Sequence, residues 1–175
     1  MRNQGLQSGE ICTLQCKIPL NSTGGTPTVL ASNPTGSTGT TAGFCVYVSH
    51  NKPINTIYLR GEGNYKDSSA TRGSLEDFIT IQSSTQETLL YYNNELKATK
   101  SLVSTSNFGS EIVMGAGLRQ RGIIFIDFEI KNELGVTTTH IVPSIKNGVP
   151  ILLDEITNTE IVMPEGCTLE SIYEL

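Results

Sequence analysis

From Gly122 to Ile145 the chain alternates between apolar and polar residues. Ile124, Ile126, Phe128 and Ile130 fall on one face, and Asp127, Glu129 and Lys131 on the other. A period of two describes a strand with one face buried and one wet. Asn132-Glu133-Leu134-Gly135 supplies a turn with a glycine for a positive φ. The return strand, Val136 to Ile145, is rich in the β-branched residues that fit a pleated surface.

The same pattern recurs along the chain. Residues 11–20 alternate, with Cys12, Leu14, Cys16, Ile18 and Leu20 on one face, and Pro19 places the end of that strand at an edge or at its terminus. Strands are expected at Phe44–Ser49, Ile54–Arg60, Phe78–Gln82, Thr88–Tyr92 and Leu96–Val103. A final hairpin, Pro150–Asp154 with Thr159–Met163, follows the turn Lys146-Asn147-Gly148 and itself turns near Thr157-Asn158. Gly61–Ser74 reads as a long polar loop. Ser106–Gly117 carries no clear assignment, and Cys167–Leu175 fits a short helix or an edge strand. No repeat of 20–50 residues is evident. Many short strands at short spacing predict an all-β chain, an antiparallel β-sandwich of jelly-roll type.

One tract breaks the alternation. Residues 21–43 carry no charge and are dominated by Thr, Gly, Ser and Pro. A structureless connection that long is uncommon inside a compact domain. It predicts a division into residues 1–43, an N-terminal strand followed by a Gly/Thr/Pro-rich arm, and residues 44–175, the sandwich. An arm of that kind orders against a neighbouring subunit, or else serves as a surface loop.

Composition narrows the function. Charged residues are 17% of the chain and the formal net charge is −5. Residues 1–75 are net basic, whereas the last 25 residues hold six acids and no base. Without a cluster of Lys and Arg the chain lacks the footprint of a nucleic-acid binder. Arg119-Gln120-Arg121 is the densest basic spot and reads as an ion-pair or interface feature. Opposed charges on the two halves serve solubility, or else suit a head-to-tail contact in which a basic N-terminal arm docks on the acidic C-terminal face of a neighbouring copy. No apolar run reaches membrane-spanning length and no leader follows Met1, so synthesis in the cytoplasm without export is expected. Cys12, Cys16, Cys45 and Cys167 are read as small buried apolar residues in a reducing compartment, not as zinc ligands, because nothing nearby completes a set of four.

Candidate chemistry is sparse. His50 and His140 are the two histidines, and no nucleophile elbow accompanies either. Gly61-Glu62-Gly63 and Gly115-Ala116-Gly117 lack the continuation of a phosphate loop and read as turns. Asp127 and Glu129 share a strand face about 7 Å apart, and Glu76-Asp77 and Asp154-Glu155 are adjacent pairs, which fits solvated faces better than a glycosidase pair. Aromatic residues are 6% with no Trp, and of the consecutive Tyr91 and Tyr92 only one can serve a given face, so a sugar platform has little material. No catalytic, cofactor-binding or metal-ligating residue is assigned, and a non-enzymatic role is expected. The expectation is a structural protein of a large assembly, a virion or phage capsid-associated component acting through contacts with other subunits as an oligomer. A carbohydrate- or protein-binding module presenting loops 61–74 and 104–118 is the alternative, and a hydrolase using His140 or His50 ranks third.

Overall fold

A computed structural model describes residues 5–18, 28–32, 43–48, 56–61, 64–71, 73–74, 76–102, 112–116, 123–163 and 169. The described residues form two antiparallel sheets and no helix. The first sheet has eight strands in the order β13-β12-β11-β10-β1-β6-β7-β8. These are β1 Ile11–Lys17, β6 Ile79–Ser84, β7 Glu87–Tyr92, β8 Glu95–Ser101, β10 Ile124–Lys131, β11 Thr137–Lys146, β12 Val149–Asp154 and β13 Thr159–Glu160. The second has five strands in the order β5-β4-β3-β2-β9. These are β2 Thr28–Ser32, β3 Phe44–Val48, β4 Thr56–Gly61, β5 Asn64–Thr71 and β9 Ile112–Ala116. One apolar core contains residues of both sheets, so the arrangement is sandwich-like.

The expected alternation of β1 is observed. Cys12, Leu14 and Cys16 are fully buried, and Thr13, Gln15 and Lys17 face the other way. That strand is central, paired with β10 on one side and β6 on the other. Burial of Leu14 alone contributes roughly 1.5–3 kcal/mol, and the two cysteines extend the covered face, so the strand anchors the sheet. The turns follow their residues too. Asn93-Asn94 and Asn147-Gly148 take positive φ at both positions, the two-residue hairpin geometry that matches strand twist. In the turn 132–135, Asn132 Oδ1 accepts the N–H groups of Leu134 and Val136, and Gly135 sits at φ 75°.

Four expectations change. Within the uncharged tract, residues 28–32 form β2, a strand inside the second sheet whose Val29 and Leu30 are buried. Residues 21–27 and 33–42 of the expected arm lie outside the described residues. Second, much of the expected polar loop 61–74 is strand β5, paired with β4 at the sheet edge. Strands need backbone partners more than apolar side chains, and an edge strand has little to bury. Third, Ile112–Ala116 is a strand, paired with β2. Fourth, β10 does not keep one parity. Gln15 stands opposite Asp127 but Cys16 stands opposite Phe125, which leaves Ile126 as an extra residue. A bulge flips every following side chain to the other face. Ile123 and Phe125 therefore pack against the core in place of Ile124 and Ile126. No helix among the described residues is long and apolar enough to cross a membrane.

Candidate functional site

The parting of β10 and β11 gathers most of the chain's described polar chemistry. The two strands pair only through Phe128–Lys131 and Thr137–Ile141. Beyond Ile141 comes Pro143, which has no N–H to donate to a neighbouring strand. Here β10 stays with β1, while β11 continues beside β12 as a two-stranded ribbon closed by Asn147-Gly148.

His140 sits where the strands part. Its Nε2 lies 2.9 Å from Asp127 Oδ1 on β10, and its Nδ1 lies 3.0 Å from Glu155 Oε2 in the turn after β12. The Asp127 contact is an ion-pair distance and not an aligned hydrogen bond, since the buried Oδ1 has no hydrogen-bond donor. Neutral imidazole carries one N–H and can donate to one carboxylate, whereas imidazolium donates to two. With a carboxylate at each ring nitrogen, His140 ties three successive strands together. A nucleophile–base pair would need one nitrogen turned to a hydroxyl. On the side toward the sheet centre, the β1 partners of Asp127 and Glu129 are neutral, Gln15 and Thr13.

Glu129 stands opposite His140 in register. Partial burial pushes its carboxyl up. The hydrogen bond from Thr137 Oγ1, at 2.5 Å, and that from Lys131, at 2.9 Å, outweigh this, with help from the charges of Lys131 and His140. The net result is a pKa below the ordinary 4.5. A lowered native pKa stabilises the fold above the unfolded-state value, and that contribution is lost as pH falls through the native one. Glu129→Gln is therefore expected to be less stable than the parent at pH 7, with the gap closing as pH drops below 4.5. Urea unfolding at a series of pH values measures it. A gap independent of pH would show that the carboxylate charge contributes nothing.

Asp154, the last residue of β12, is buried and acts as a backbone cap. Its Oδ1 accepts the N–H of Ile156 at 3.0 Å and of His140 at 3.3 Å, and its Oδ2 accepts the hydroxyl of Thr157 at 3.0 Å. These bonds hold the turn that presents Glu155 to His140. Beside it lies a hollow of about 480 Å³, lined by Glu10, Asp154 and the threonines 138, 139, 157 and 159, with Ile141 and Ile161.

The other residues singled out by sequence scatter. Cys12 and Cys16 are buried as expected, while Cys45 is half-buried. Burial pushes the Cys12 thiol up to about 12, only partly offset by backbone hydrogen bonds, which makes it a poor nucleophile at neutral pH. Tyr47 and Tyr58 stack on each other with ring centres 5.3 Å apart, and Arg60 covers the Tyr47 ring at 5.0 Å, so these aromatic faces serve one another. His50, Cys167, Arg119 and Arg121 lie outside the described residues. Among the described residues no group of three His, Cys, Asp or Glu side chains is placed to hold a metal ion.

Sequence reading missed the roles of Asp154 and Glu155. The available signal was Asp154 followed by Thr157, Asn158 and Thr159, a turn-capping composition. What joins Glu155 to His140 is the pairing of β11 with β12. The chain matches no protein-family model and no curated protein.

Proposed function

We propose that the chain is a structural component of a large assembly, of the virion or phage capsid-associated kind, working through protein–protein contacts in a jelly-roll-like sandwich. The observation that carries this is the β11–β12 ribbon. Residues 141–153 hold a single charged side chain, Lys146, and that one is paired with Glu160 at 3.0 Å. Ile145 and Val149 are 67% and 59% exposed. Single exposed apolar residues are ordinary, but a two-stranded ribbon with apolar residues on both faces is marginal in water without cover. A contact surface supplies that cover. Light scattering of the full chain across concentration and salt tests the reading: a defined species larger than one subunit is expected, and a strict monomer under every condition would sink self-assembly.

The threonine-lined hollow favours a second reading, a binding module for a polyhydroxylated ligand. Hydroxyls and carboxylates gathered in one hollow suit sugar hydroxyl groups. Calorimetric titration with simple sugars separates the two, because a module binds as a monomer and an assembly component need not bind at all.

A further inference from the structure

We infer that the β11–β12 ribbon is a self-contact surface, whose occupant is the same ribbon of a second copy of this chain related by a two-fold axis. This rests on the assembly reading above and names its contact.

The row of side chains that faces the core in β11 and β12 runs on past its cover. Cross-strand partners share a face, so Ile141, Pro143, Ile145, Pro150, Leu152 and Asp154 lie on one side. Ile141 is 3% and Leu152 8% exposed, yet Pro143 is exposed and Ile145 is 67% exposed. The core face thus continues for about 13 Å of ribbon beyond Ile141, four residues at strand rise, while its burial ends. Apolar surface of this kind is what a partner removes from water.

Two features select the partner. First, the ribbon is a poor template for strand addition. Pro150 stands on β12 before the short β13 takes up pairing at Leu153, and Pro143 stands on β11 where pairing with β10 has ended. Neither proline offers an N–H, so a partner docks on side chains and not by extending the sheet. Second, the part of the patch that reaches solvent, Pro143, Ile145 and Pro150, carries no charge, and Asp154 at its other end is buried. The whole chain is at −5, so two copies repel over most of their surfaces. The same neutral patch placed on itself brings no like charges together, because Lys146 points to the opposite face and is paired with its own Glu160. An isologous contact requires a patch that tolerates its own image, and this one does.

The test uses the full chain and light scattering. The parent should show twice the subunit mass of 18.9 kDa. Ile145→Asp and Ile145→Lys, each confirmed folded by circular dichroism, should each fall to the single mass. Mixing the two should restore the double mass, since a two-fold contact sets position 145 of one copy near position 145 of the other. Leu134→Asp, in the turn that precedes β11 and 81% exposed, should leave the parent's mass unchanged. A dimer that grows no further with concentration supports the contact and counts against the large-assembly reading. An oligomer that survives Ile145→Asp overturns the contact while leaving assembly standing. Loss of dimer in both variants with no recovery on mixing overturns the two-fold arrangement.

Discussion

Leu30→Ala is expected to lower the free energy of unfolding by about 2–5 kcal/mol, the cost of emptying a leucine site in a core that collapses only in part. Leu30 lies in a stretch that reads as a neutral arm, yet it is fully buried. Its strand is flanked on both sides: Leu30 stands opposite Val46 of β3 and Met114 of β9. The substitution removes apolar contact from an interior strand of the five-stranded sheet, between β3 and the edge strand β9. An arm would respond with almost no change, as an exposed position does, typically within about 0.5 kcal/mol. Thr99→Ala on the exposed side of β8 is the matching control. Denaturant midpoints for the two variants decide the matter, and an unchanged midpoint for Leu30→Ala would place β2 outside the cooperative core.

Asp154→Ala should cost about 2–3 kcal/mol by a different route. The carboxylate accepts from two backbone N–H groups and one hydroxyl while being 8% exposed. Alanine leaves those donors facing a cavity, and a buried donor without a partner loses its full solvation. Asp154→Asn separates hydrogen bonding from charge. Its amide oxygen can still serve the N–H groups of His140 and Ile156. Its NH₂ cannot accept from Thr157, whose hydroxyl is already 2.6 Å from that of Thr159. Asn should therefore retain much of the stability lost in Ala. Amide hydrogen exchange adds a local readout, with faster exchange at Ile156 in the alanine variant. Equal stability of Ala and parent would mean that water replaces the carboxylate there.

Much of the chain was legible one strand at a time. The alternation of β1, the Asn-Asn and Asn-Gly turns and the all-β composition are local properties. Each is set by the side-chain period of a strand or by the backbone freedom of Asn and Gly. The candidate site was legible only in its parts. Asp127 and Glu129 were placed on one face correctly, because the bulge lies on the far side of Asp127. His140 falls within the return strand of that hairpin, so its place opposite Glu129 follows from local pairing alone.

What sequence alone determined, then, is the list of strands with strong alternation and the tight turns between neighbours. Tertiary structure decided the rest. It set β1 between two strands remote in sequence, drew five residues of an uncharged tract into a sheet and gave a polar segment a strand partner. It also inserted the bulge that turned Phe125 inward and set Asp127 and Glu155 on either side of His140. The reason lies in the backbone hydrogen bond. It is satisfied by any partner of suitable geometry, so which strands pair depends on the joint burial of residues far apart in the chain. The side-chain period reports only which way each residue points once that pairing exists.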